Sequence, residues 1–79
     1  MNTHYLKTLP EFFQAVSSGK KRFEIRKDDR GFMVGDTLLL QEFDGTHFTG
    51  QIVRCVVTYR TTYEQKPGFV VLGIEGSEA

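Results

Sequence analysis

Lys21, Glu24 and Arg26 are the residues whose types and spacing can do chemistry. If residues 23–26 form a strand, Glu24 and Arg26 project to one face while Phe23 and Ile25 project to the other. A carboxylate then sits beside a guanidinium above a packed sheet, with the Lys21 ammonium just N-terminal to both. Such a constellation can hold a phosphate or carboxylate through Arg26 and Lys21 and read a base edge through Glu24. Its surroundings are basic. Residues 19–30 carry six Lys or Arg against three Asp or Glu, a local excess of three positive charges. The competing reading is a water-facing edge strand whose surface ion pairs contribute little.

The whole chain carries no such bias: ten Lys and Arg balance ten Asp and Glu over 79 residues. A protein that coats nucleic acid through global charge is thereby excluded, and any nucleic-acid site must be local. Cys55 is the one cysteine, which rules out an internal disulfide and a multi-thiolate zinc site and suits a reducing compartment. Alternation with Val53 and Val57 makes it a small core thiol. His4, His47 and Cys55 fit no metal-ligand spacing. We expect His47 in a solvent-facing turn and His4 in a structural hydrogen bond. Asp28 and Asp29, followed by Arg30-Gly31, read as a turn and not as metal ligands. The glycines are spaced as turns, so no nucleotide-cradling loop, cofactor or metal is expected. The first residues lack a basic segment leading into an apolar run, and no stretch approaches a membrane span, so a cytoplasmic location is expected.

The elements that must position this motif follow from the hydropathy period. Thr8-Leu9-Pro10-Glu11 has the form of a capping box, and Leu9, Phe12, Phe13 and Val16 then recur at helical spacing, predicting a helix that Gly19 stops. Beyond Gly19 the period becomes two, with Phe23 and Ile25 expected to face the core. Further strands are expected over Thr37–Phe43, from Phe48 to about Tyr63 with a bend near Gly50, and over Phe69–Glu75. Val53, Cys55, Val57 and Tyr59 are expected on one face of the long strand. Turns at Asp44–His47 and Pro67-Gly68 separate the strands, and residues 76–79 read as a flexible polar tail. One early helix followed by four or five strands, without crossover helices, is an α+β domain whose sheet curls into a small barrel.

Gly19, Lys21, Glu24 and Arg26 also match the Gly-x-Lys-x-x-Glu-x-Arg signature of the ASCH superfamily, and the chain resembles that family along most of its length. The resemblance takes in His4–Lys7, the Pro10–Val16 helix, Phe23–Arg30, Val34-Gly35-Asp36 and Pro67–Ile74. It is the pattern of a small ASCH-like family found in bacteria and their phages. What the resemblance implies is a single PUA-like domain over residues 1–79, a β-barrel with the N-terminal helix packed against it. It also implies a cleft lined by the signature residues and suited to RNA or a modified nucleobase.

In that cleft Lys21 and Arg26 would meet phosphate or a carbonyl, while Glu24 would accept from an exocyclic amine. Phe32 and Tyr63, in expected loops, would stack on a base, whereas Tyr5 and Tyr59 are assigned to the core. Two hydrolytic readings stand beside this one. A branch resembling amidohydrolases of N4-acetylcytidine uses a lysine that Lys21 matches, although Glu24 stands where that branch has its threonine. Ribonuclease-like members would use Lys21, Glu24 and Arg26 as base and phosphate clamp. In either enzyme Lys21 and Glu24 would be the catalytic pair. A phage or mobile-element protein that binds a host protein is the non-enzymatic alternative. The expectation is an RNA- or nucleoside-binding module.

Overall fold

The computed structural model describes residues 1–76, in which one short helix and five strands follow in the order β1 (Thr3–Thr8), α1 (Pro10–Ser17), β2 (Phe23–Lys27), β3 (Thr37–Phe43), β4 (Phe48–Thr61) and β5 (Phe69–Gly76). All five strands form one sheet in the spatial order β1-β3-β4-β5-β2. β1 runs parallel to β3, and the remaining pairs are antiparallel. The sheet is curled into a half-barrel, so that the two outer strands, β1 and β2, face one another across an open seam. Arg26 on β2 reaches across it to the Lys7 carbonyl and the Thr8 hydroxyl on β1. α1 connects these two outer strands and packs on β3 and β4.

Strand alternation builds the interior. Leu38 and Leu40 from β3, Cys55 and Val57 from β4, Val70, Leu72 and Ile74 from β5 and Leu6 from β1 are all buried, joined by Phe13 of α1 and by Phe32. Phe32 was expected in an accessible loop. It is instead 1% exposed, because the β2–β3 connection folds inward and Arg60 Nε donates to its carbonyl. β1 was not anticipated as a strand, although His4, Leu6 and Thr8 alternate inward against exposed Thr3, Tyr5 and Lys7.

The helix departs from its expected capping. Its N-cap is Leu9 and no side chain caps it. The Thr8 hydroxyl is turned away, donating to the Leu6 carbonyl and accepting from Arg26. Of the expected helical stripe only Phe13 is buried, with Val16 packed beside it, while Leu9 and Phe12 lie largely in the open. Pro10 at the first helical position and Gly19, at φ +82°, mark the two ends as expected.

β4 contains two register shifts. The first lies around Gly50, where Gln41 pairs with Ile52 but Phe43 pairs with Phe48, which fulfils the expected bend. Thr58 is an extra residue between the Val57–Ile74 and Tyr59–Gly73 pairs. This bulge takes Tyr59 out of phase with Cys55 and Val57, so Tyr59 is 65% exposed and not in the core. Tyr5 is likewise exposed. Asp44 Oδ1 accepts from the Thr46 and His47 N–H groups at the β3–β4 turn, which holds its carboxyl below the ordinary value. Gly76, expected in the tail, closes β5 opposite Cys55; the rest of that tail lies outside the described residues.

Cys55 is a core thiol, with its Sγ 3.8 Å from the Leu38 carbonyl. Burial, and secondarily the charge of Glu24, push its pKa up to about 11. The reactive thiolate is therefore scarce at neutral pH as well as inaccessible. We expect the native protein to react with Ellman's reagent far more slowly than the protein unfolded in urea. Equal rates would mean that the core opens readily.

Candidate functional site

The motif is assembled by a tight local geometry. The N–H groups of Lys20 and Lys21 both donate to the Ala15 carbonyl, which turns the chain out of α1 and into β2. β2 pairs on one side only, Glu24 opposite Leu72 and Arg26 opposite Val70. This orientation inverts the expected one: Glu24 is 2% exposed, whereas Phe23 and Ile25 face outward. A carboxylate can occupy the inner face because two cations neutralise it there.

Glu24 Oε2 accepts from Lys21 Nζ at 2.6 Å, and Oε1 accepts from Arg26 Nε and one terminal nitrogen at 3.0 and 2.9 Å. Arg26 also donates to the Lys7 carbonyl and Thr8 Oγ1, each at 3.1 Å. Lys21 donates to the Phe23 carbonyl, and its ammonium lies 4.8 Å from the Phe23 ring centroid and 5.5 Å from that of Phe12. Three of roughly four acceptor positions on Glu24 are thus filled, while Lys21 and Arg26 each keep one N–H outside these bonds.

The cluster forms one wall of an open groove of about 520 Å³, lined by Lys7, Thr8, Leu9, Phe12, Phe23 and Ile25 together with the motif. The groove is largely apolar at its sides, with Lys21 and Arg26 flanking the Glu24 carboxylate in its wall. A second concavity of about 540 Å³, containing Arg22, Arg54 and Cys55, lies on the other side of Lys21.

The structure brings together Lys21, Glu24 and Arg26 but not the two aromatic candidates. Phe32 packs edge-on against His4 in the core, 4.7 Å between centroids, and Tyr63 is exposed beyond the end of β4. Phe12 and Phe23 take the place beside the motif that sequence reasoning gave to Phe32 and Tyr63. Phe23 stands two residues from Lys21 in the chain, which was the available signal for it, whereas Phe12 comes near only through the turn out of α1; both were expected in the core. His4 makes the expected structural bond, to Asp36, and His47 is in the exposed turn. Asp28 pairs with Arg60 across the sheet. Among the described residues, no group of three or more His, Cys, Asp or Glu side chains could hold a metal ion, and no helix is long and apolar enough to cross a membrane.

This arrangement falls within a known sequence family. A family model described as a domain of unknown function (DUF3850) matches residues 3–74. The chain belongs to the DUF3850 family. It is also similar to an "Uncharacterized 12.9 kDa protein in GpA 3'region" of Escherichia phage P2, with 44% identity over 55 residues. That match takes in 70% of this chain and 50% of the phage protein, so the chain spans about half the length of its curated relative. A small family with a phage member, as expected from the sequence pattern, is thereby shown, without the wider ASCH assignment. Within this DUF3850 chain the matched region takes in β1 to β4, all but the last two residues of β5, and the whole Lys21–Glu24–Arg26 groove.

Proposed function

We propose that the groove binds a base of single-stranded RNA or of a modified nucleoside, with Lys21 and Arg26 meeting its carbonyl or phosphate oxygens. One observation carries this reading. Two half-exposed phenyl rings, Phe12 and Phe23, border an ammonium and a guanidinium that both retain an N–H outside their internal bonds. Planar bases stack on aromatic faces, and cationic N–H donors complement phosphate and carbonyl oxygens. The match of Gly19, Lys21, Glu24 and Arg26 to the ASCH signature, and the PUA-like barrel it implies, accord with the same reading.

Glu24 then acts mainly as the counter-ion that orients the two cations. Its oxygens are largely committed to Lys21 and Arg26, which favours binding over the hydrolytic use of Glu24 as a proton acceptor.

The test is an NMR titration with short single-stranded RNA, cytidine and N4-acetylcytidine, followed by a check for product. We expect saturable shifts at Phe12, Lys21, Phe23 and Arg26 without turnover. Phe12→Leu keeps apolar bulk but removes the ring, and should weaken RNA binding about tenfold, given roughly 1–3 kcal/mol for a base–aromatic stack. Deacetylation would install the hydrolase reading instead. Absence of shifts with all three ligands would remove both and leave a protein partner.

A further inference from the structure

The arrangement at Lys21 occurs a second time in the molecule. Lys7 Nζ lies 4.8 Å from the centroid of Phe43 and 5.9 Å from that of Phe48, just as Lys21 lies over Phe12 and Phe23. Phe43 and Phe48 face each other across the β3–β4 hairpin in a T-shaped pair, with centroids 5.0 Å apart. Phe48 is 50% exposed. Both lysines belong to the wall of the same groove, and the Lys7 carbonyl is tied to Arg26. A lysine over two phenylalanine rings thus stands at two places along one surface, joined through Arg26.

We propose that Lys7, Phe43 and Phe48 form a second nucleotide subsite, so that the ligand is a single strand of at least two nucleotides and not a free nucleoside. This rests on the reading of the first groove as a base site. The physical case is the pairing of functions that a polynucleotide repeats along its length, an apolar planar base and an anionic phosphate. A half-exposed ring supplies a stacking face, and the ammonium above it is free to move to a phosphate when a base arrives. In the free protein the same ammonium covers the rings, which limits apolar exposure on a strand end that the Gly50 bulge already turns outward.

A neutral chain with two such positions also meets the requirement that affinity come from local contacts. Each lysine that moves to a phosphate displaces a counterion, so the second subsite has its own signature in the salt dependence.

The experiment compares cytidine 5′-monophosphate with a tetranucleotide of cytidine, by titration of the intact protein and of Phe48→Leu, Lys7→Gln and Phe12→Leu, each checked for a native melt. Phe12→Leu should weaken both probes. Phe48→Leu should weaken the tetranucleotide about tenfold and leave the mononucleotide unchanged. Lys7→Gln leaves both rings in place and should make the negative slope of log affinity against log salt for the tetranucleotide shallower by about 0.7, the single-strand value for one phosphate contact. If Phe12→Leu alone has an effect, the first site stands and the second subsite is overturned. Should neither probe bind the intact protein, both readings fail together, and equal affinity for the two probes would also sink the two-nucleotide site.

Discussion

Replacing Glu24 by alanine should cost about 3–5 kcal/mol of folding stability, the usual penalty for removing one partner from a buried ion pair. The carboxylate is 3% exposed at its side chain, and its two partners, Lys21 and Arg26, are 17% and 23% exposed. Without Glu24 these cations remain partly buried beside one another, with no anion between them, and Arg26 retains only its bonds to Lys7 and Thr8. A domain of this size is held by roughly 5 kcal/mol or a little more, so much of the variant population would be unfolded at 37 °C. Urea titration followed by circular dichroism reads the loss directly. A change below about 1 kcal/mol would show that water screens the cluster as it screens a surface pair. A triple variant, Glu24→Leu with Lys21→Met and Arg26→Met, should recover much of the loss, because it removes the charges together.

The second large effect is expected at Asp36. Its carboxylate accepts from the Asn2 N–H at 3.0 Å, the Met33 N–H at 3.1 Å and His4 Nε2 at 2.9 Å. An ionised carboxylate can only accept, so His4 carries its proton on Nε2. The Asn2 N–H, then His4, hold the Asp36 carboxyl below its ordinary value of 3.8, against the opposing effect of burial. Asp36→Ala would strand two backbone donors and an imidazole where β1 begins beside β3, at a cost of about 2–4 kcal/mol.

The pH dependence has a definite sign. Because the folded pKa is depressed, the contribution of Asp36 is fully present above 3.8 and is lost as pH falls from there through the folded value. Urea midpoints of the native chain should therefore drop below about pH 4, while Asp36→Asn, which carries no titrating group there, should show a smaller drop. Parallel curves for the two proteins would mean that other carboxylates govern acid unfolding.

Much of this fold is legible in residue spacing, and the failures share a cause. β3, β4 and β5 are apolar at alternate positions, and their bounds follow from Asp44-Gly45 and Pro67-Gly68. β2 also alternates, yet hydropathy assigns its faces the wrong way round. Phe23 and Ile25 look like core, and only the neutralisation of Glu24 by Lys21 and Arg26 makes the opposite choice affordable. β1 escapes for a related reason. Its inward positions are His4, Leu6 and Thr8, and the two polar ones are satisfied by Asp36 and Arg26, distant in sequence. The candidate site was readable as a Lys-Glu-Arg motif, while its aromatic border was not, since exposure of Phe12 and Phe23 depends on how α1 meets β2. Phe32 shows the converse: turn-like neighbours suggest a loop, and the loop carries its ring into the core.

The open seam has a consequence for behaviour at high concentration. The carbonyls of Tyr5 and Lys7, two residues apart, both face away from β3 and would form a ready template for a strand from another molecule. Arg30 donates to the first and Arg26 to the second. These guanidinium groups occupy hydrogen-bonding positions that an incoming backbone would need, and they bring positive charge to that edge. The arginine that serves the groove thus also guards the chain against edge-to-edge aggregation.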